Sequence, residues 1–216
     1  MQSKKLCIVV PYRDREEHLK KFLPHMNATL TKEKLDYTIL IVEQEAGKPF
    51  NRAKLLNVGF SYTNGSYDYY CFHDIDMLPI NSDYGYCPNP THLAAEAEQF
   101  NWKLPYNGYF GGVTIFDKES FEKINGYANE YWGWGGEDDD VFNRCVFSSV
   151  QMSRKPCRFS SLSHDRKISP VEYQKNLALL QDMKTKAKSV GGLSDLSWNL
   201  LTENILPTHT LIKVSI

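Results

Sequence analysis

Residues 67–79, YDYYCFHDIDMLP, decide how the chain is organised. The segment starts as an aromatic, β-rich apolar run and then breaks into two acids and a proline. Such a run, bounded by turn-forming residues, marks a strand buried on both faces. Two similar runs lie upstream, KLCIVVPYR at 5–13 and YTILIVEQ at 37–44. Between these two, REEHLKKFLPHMNATL spaces Leu19, Phe22, Leu23 and Met26 at helical intervals, and Pro24 is expected to kink or stop that helix. Before the third run, NRAKLLNVGFSYT repeats the helical spacing through Leu55, Leu56 and Phe60. The order β-α-β-α-β predicts an α/β fold with a mostly parallel, doubly wound sheet. In such sheets ligands sit beyond the carboxyl ends of the strands.

Further along, the chain turns loop-rich from Asn81 to Tyr106, with a short helix expected at THLAAEAEQF. YFGGVTIF reads as another strand and DKESFEKING as a helix, capped by Asp117 or Ser120 and ended by Gly126. EDDDVFNRCVF and VEYQKNLALLQDMKTKAK also read as helices, and the alternating TLIKVSI as a late strand. There are no repeats, low-complexity tracts or linkers, so residues 1–216 are expected to form one domain. The formal net charge of −1 gives no electrostatic case for a nucleic acid or an anionic membrane as partner. No apolar run reaches the roughly 18 residues that span a bilayer. The stretch after Lys4 and Lys5 is too short for a signal peptide, so the chain is expected to be soluble. Of the five cysteines, Cys71 and Cys87 could pair, but an odd count without CxxC spacing favours reduced thiols and argues against zinc.

Three polar clusters fall at the ends of the first three strands: PYRDR, the EQ…FNR pair of segments, and DID. Asp74 and Asp76 lie two apart, so in extended chain both would point to one side. With no local Lys or Arg to pair them, they would repel unless a cation such as Mg²⁺ or Mn²⁺ sat between them. A solvated turn is the plainer alternative. Arg13, Arg15 and Arg52 are suited to bidentate phosphate contacts, though each alone could be an ordinary surface arginine. Acids, arginines and a metal together suggest a nucleotide diphosphate. Neither a P-loop nor a dinucleotide-binding fingerprint is present.

Residues 132–140, WGWGGEDDD, set Trp132 and Trp134 among three glycines before four acids. Acids in a helix's first turn complement the macrodipole, yet a cap needs only one of them. The glycines suit a loop that closes on substrate, and indole faces suit a sugar ring. This combination fits glycosyl transfer or, equally, a lectin. A lone histidine such as His164 is usually structural.

Taken in order, VPYRDREEHL, FNRAKLLNVGF, FHDIDMLP, LPYNGYFGGV, INGYANEYWGWGGEDDDVFNR, SHDR and GLSDLSWNLL resemble the β-1,4-galactosyltransferase family. The resemblance covers nearly the whole chain from Cys7. It implies a GT-A fold with a mixed, mostly parallel central sheet, and inverting transfer of galactose from UDP-galactose aided by Mn²⁺. It implies that Pro11, Arg13, Arg15, Phe50, Asn51 and Arg52 contact UDP, and that Asp74 and Asp76 form the acidic motif whose second member ligates metal. His164 matches the family's metal-binding histidine. Trp134 matches the loop tryptophan that swings over the donor. Gly136, Glu137, Asp138 and Asp139 match the sugar-contacting stretch, with Asp138 as catalytic base, charged at neutral pH with a pKa near the usual value of about 4. Tyr106 falls at an acceptor-site position. Tyr109 falls where tyrosine accompanies galactose and smaller residues accompany N-acetylgalactosamine, so a related transferase using the latter donor is the main alternative, beside a non-catalytic sugar-binding module. The sequence departs from the family at Ser161, where animal members often carry a methionine metal ligand, and past His164, so the acceptor could be N-acetylglucosamine, glucose or xylose. Family members usually carry a membrane anchor, so this chain is expected to be a soluble, cytoplasmic form or a trimmed domain from the Golgi lumen.

Overall fold

The computed structural model describes residues 4–163, 168–186 and 191–216. In chain order its elements are β1 (Lys5–Tyr12), α1 (Glu16–Lys32), β2 (Asp36–Gln44), α2 (Arg52–Tyr62), β3 (Tyr69–His73), β4 (Met77–Asn81), β5 (Thr91–His92) and β6 (Glu96–Ala97). There follow β7 (Val113–Asp117), α3 (Lys118–Lys123), α4 (Glu137–Phe147), β8 (Ser153–Arg154), β9 (Arg158–Ser161), α5 (Pro170–Lys186), β10 (Asn199–Leu206) and β11 (His209–Ser215). The main sheet runs β10-β11-β2-β1-β3-β7-β5-β8, and β4-β9-β6 form a small second sheet. β2, β1 and β3 are parallel neighbours, as expected, and β11 joins β2 in parallel. β7 is antiparallel to β3, which makes the sheet mixed.

Strand alternation divides the core. Leu6, Ile8 and Val10 of β1 pack with Phe22, Met26 and Leu30 of α1 on one face. Cys7 and Val9 pack with Leu55, Leu56 and Val58 of α2, Phe121 of α3 and Val141 of α4 on the other. Helices on both faces leave the ends of β1, β2 and β3 as an open edge, at Tyr12, Gln44 and His73.

Three local expectations change. α1 continues through Pro24 to Lys32 rather than stopping there. Lys20 and Pro24 both face solvent, so the carbonyl that proline leaves without a partner can bond water. THLAAEAEQF is not a helix: it holds β5, β6 and a 3₁₀ turn over Glu98–Phe100. Pairing of Thr91 and His92 with β7, and of Ala97 with Phe159 of β9, overrides the local helical preference. DID is not extended either. β3 ends at His73 and the amide of Met77 bonds the Asp74 carbonyl at 3.2 Å, so the two acids sit in a tight turn. The capping of α3 by Asp117, whose carboxylate accepts from the Ser120 amide, follows expectation. All five cysteines are free thiols, Cys71 and Cys87 included. Among the described residues no helix is long and apolar enough to cross a membrane.

The close approach of α2 to the sheet depends on Gly59. A Cβ there would lie 2.3 Å from Val9 Cγ1 and 3.2 Å from Val42 Cγ2. Alanine favours a helix over glycine by about 1 kcal/mol, but overpacking a rigid core typically costs about 1–3 kcal/mol. Gly59→Ala should therefore lower the denaturant midpoint, by roughly 1–2 kcal/mol of stability. A midpoint at or above the parent's would show that helix and sheet can separate at little cost.

Candidate active site

The open edge gathers acids from two distant parts of the chain around one arginine. Arg52 is the first residue of α2, and its helix is capped by Asn51, whose side-chain oxygen accepts from the Lys54 amide at 2.8 Å. From that position Arg52 Nε donates to Asp74 Oδ1 at 2.5 Å, and Nη1 donates to Asp138 Oδ1 at 2.9 Å. Glu137 Oε1 lies 3.9 Å from the same Nη1. Asp138 and Glu137 belong to the first turn of α4, whose N-cap is Gly136 at φ 97°. Arg52 was expected to meet phosphate, and DID to lack a basic partner. In the structure Arg52 is the counter-ion of Asp74 and Asp138.

One guanidinium does not offset the partial burial of three carboxylates, whose side chains are 13–28% exposed. Burial, with Asp76 and Asp138 nearby, lifts Asp74 to about 7 against the pull of Arg52. Burial and the neighbouring Asp138 lift Glu137 to about 8. Asp138 is also raised by burial, while Arg52 works to lower it, so the expectation of an ordinary pKa at Asp138 does not hold. Asp139 accepts from the Tyr106 hydroxyl at 2.9 Å. Asp140 belongs to the core, where Arg144 Nε donates to it at 2.5 Å and the Tyr131 hydroxyl at 3.1 Å.

The supporting residues went unnoticed in sequence. Gly111 leaves the space that Asp138 occupies: a Cβ there would lie 2.1 Å from Asp138 Oδ2 and 2.9 Å from Tyr109 Cε2. The GG doublet before β7 was the available signal. Two buried histidines hold the backbone below. His73 Nδ1 donates to the Asp74 carbonyl at 2.9 Å while its Nε2 accepts from Tyr84. His92 Nε2 donates to the Gly111 carbonyl at 2.9 Å. Burial lowers both imidazoles to about 4, so both are neutral.

The remaining candidates surround this centre. Pro11 is buried within β1. Asn51 is wholly enclosed: its side-chain amide donates to Asn129 O at 2.7 Å, and its backbone amide donates to Gln44 Oε1 at 2.8 Å. Its side chain is engaged within the fold. On one rim Arg13 donates to the Lys48 carbonyl at 2.8 Å and stacks on Phe50, 5.3 Å from the ring centre. Arg15 lies beside it at the start of α1. Tyr109 borders Gly111 and Asp138 on the opposite rim. Trp134 leans on Tyr173 of α5 with ring centres 5.5 Å apart, and Asn176 donates to the carbonyls of Trp132 and Trp134. Asp76 follows Asp74 in the turn, and its carbonyl accepts from the Leu162 amide at 2.7 Å. His164, two positions further in sequence, lies outside the described residues.

Hard oxygen donors at an edge with excess negative charge suit a divalent cation. Asp76 fits as one ligand, although among the described residues no group of three acids, histidines or cysteines is placed to hold a metal. Ser161, on β9 opposite Met77, has its hydroxyl 3.7 Å from the Met77 sulfur.

Comparison with known proteins gives a consistent picture. Residues 1–88 match the N-terminal region of glycosyl transferase group 7, and residues 91–167 match the N-terminal domain of galactosyltransferase. The chain is 40% identical over 221 residues to β-1,4-galactosyltransferase 1 of Homo sapiens, covering 98% of this chain and 55% of that protein. It thus spans about half the length of the curated relatives it matches. The catalytic domain of Drosophila β1,4-galactosyltransferase 7, solved with xylobiose, superposes with a TM-score of 0.82 at 29% identity, covering 99% of this chain and 94% of that one. A mutant of that enzyme, solved with manganese, UDP-Gal and xylobiose, superposes equally well. A mannosyltransferase from Pyrobaculum calidifontis shares the fold alone, with a TM-score of 0.60 at 11% identity over 88% of this chain and 66% of that one. The architecture is of the GT-A type.

The raised Glu137 has a measurable consequence. Its folded pKa of about 8 lies above the unfolded value of about 4.3. Its contribution to stability is therefore complete below pH ~4.3 and is lost as pH rises toward ~8. Glu137→Gln removes that loss, so its thermal midpoint relative to the parent should rise by several degrees between pH 5 and pH 9. A pH-independent difference would overturn the assignment.

Proposed function

The chain belongs to the β-1,4-galactosyltransferase family, and we propose that it performs that family's reaction as one catalytic domain. Galactose passes from UDP-galactose to the 4-hydroxyl of an acceptor sugar, with inversion at the anomeric carbon. The observation that most supports this is Asp138 at the strand-end edge, held by Arg52 and bordered by Tyr109, with Tyr106 bonded to the adjacent Asp139.

In this reading Asp138 takes the acceptor hydroxyl's proton as that oxygen attacks the anomeric carbon from the face opposite UDP. Arg52 favours the ionised carboxylate against the burial that disfavours it. Gly136, Glu137 and Asp139 orient the sugars, and Arg13, Arg15 and Phe50 meet the UDP. Asp76 and His164 would hold Mn²⁺, which when bound would supply positive charge against the diphosphate leaving group. Trp134 and its glycines cover the donor and keep water from it.

The test is UDP release from UDP-galactose with Mn²⁺ and a panel of N-acetylglucosamine, glucose and xylose acceptors. Acceptor-dependent release is expected, and its absence from folded protein would sink the proposal. Asp138→Asn should cut turnover by about a hundredfold or more while UDP affinity changes little. Parallel loss of UDP binding would contradict its role as base. Tyr109 fills the space beside Gly111, so Tyr109→Leu should raise turnover of UDP-N-acetylgalactosamine relative to UDP-galactose. An unchanged donor ratio would remove Tyr109 from donor selection.

A further inference from the structure

We propose that Arg154 is a positioning residue for the acceptor side of the site, a clamp that fixes the turn carrying Tyr106 and Tyr109. That turn has no strand of its own. It closes on a bond from the Tyr109 amide to the Tyr106 carbonyl at 3.0 Å, and Tyr106 and Asn107 are exposed. Free chain of this kind samples many conformations unless outside groups hold it.

Arg154 supplies those groups. Its Nη2 donates to the Asn107 carbonyl at 2.6 Å and to the Tyr109 carbonyl at 3.1 Å. The next alternate carbonyl, that of Gly111, is taken by His92 Nε2 at 2.9 Å. Arg154 and His92 are register partners in the parallel pair β5–β8. That pair is itself tied down by the Ser153 amide on the Pro90 carbonyl at 2.9 Å, the Lys155 amide on the His92 carbonyl at 3.1 Å, and Thr91 against Ser153 at 2.7 Å. Two neighbouring side chains on a fixed sheet edge thus hold three alternate carbonyls of 107–111. Gly108 rests against Phe142, one helical turn beyond Asp138, with 3.7 Å from a Cβ position to the ring. The clamp therefore sets where the Tyr109 ring stands beside Gly111 and the Asp138 carboxylate. Both bonds leave the same Nη2, whose two N–H groups are fixed in the guanidinium plane, whereas the three donors of an ammonium rotate freely.

Only the kinetic part of this inference rests on the galactosyl-transfer reading. Arg154→Ala and Arg154→Lys would be compared with the parent by hydrogen exchange and by initial rates. In Arg154→Ala the Tyr109 amide, which bonds the Tyr106 carbonyl across the turn, should exchange about tenfold faster or more, with the thermal midpoint unchanged. The acceptor KM should rise roughly three- to tenfold through Tyr106, and the turnover ratio of UDP-N-acetylgalactosamine to UDP-galactose should shift through Tyr109, while the KM for UDP-galactose rises less than the acceptor's. The lysine variant should recover part of both effects by reaching one carbonyl. Unchanged exchange would overturn the clamp. So would equal rises in donor and acceptor KM, or a fallen midpoint, since either points to general loosening. If the parent releases no UDP with any acceptor, the transfer reading fails, and the exchange measurement alone decides the role of Arg154.

Discussion

A single guanidinium holds together segments that would otherwise repel. Arg52 touches Asp74, which follows β3, and Asp138, which lies in the first turn of α4 and 86 positions beyond Arg52 in the chain. Two like charges 5 Å apart repel by roughly 3 kcal/mol at an effective dielectric of 20. Without a shared cation, the turn after β3 and the N-terminus of α4 could not both bring acids to one edge of the sheet. Arg52 is placed by its helix: the cap at Asn51 fixes where α2 begins, and its first residue then reaches the acids. The arrangement is economical in charge and incomplete in it. Burial leaves Asp74 and Glu137 raised to about 7 and 8, which is the electrostatic condition of a site suited to taking up further positive charge.

Beneath this centre the chain uses neutral polar groups in place of more ions. Asn57 donates to the Tyr127 carbonyl and to Asn129, whose own amide reaches the Gly192 carbonyl and Asp195. Asn51 closes the network on the Asn129 carbonyl. These bonds tie α2 to the segment that leads into Trp132–Gly136 and to the GLSD stretch near the C-terminus. Buried amides satisfied on every side cost little and direct the backbone closely. The geometry of Arg52 is inherited from that network.

Periodicity made the frame legible. Apolar runs and helical spacing in the first 80 residues were enough to place PYRDR, FNR and DID at one edge, because strand ends in a parallel sheet are fixed by chain direction. What sequence could not show was pairing at a distance. Nothing local says that Arg52 meets Asp138, or that Asp140 turns inward to Arg144 while Asp139 turns to Tyr106. Residues 91–100 failed for the same reason: two-residue strands exist only through partners at 113–117, 153–154 and 158–159. β10 was also missed, since NLLTENIL is exposed throughout and depends on β11 for its form. Gly111, His73 and His92 carried no pattern, because their work is to leave space or to hold a carbonyl.

The two sides of the site are held by interactions of different strength. The floor consists of element ends joined by charge: Arg52 to Asp74 and Asp138, with buried imidazoles under the Asp74 and Gly111 carbonyls. The roof at Trp132–Gly136 has positive φ at all three glycines and is held to α5 by the Asn176 amide and a tilted contact of Trp134 on Tyr173. A Cβ at Gly133, Gly135 or Gly136 would come within 2.6–3.1 Å of Glu172, Tyr173 or Tyr131, so this backbone path requires glycine sterically as well as torsionally. Neutral hydrogen bonds contribute about 1 kcal/mol net each, and charged ones two to three times that. Any rearrangement on ligand binding is therefore cheaper in the roof than in the floor. The acids can keep their positions while the tryptophans change theirs.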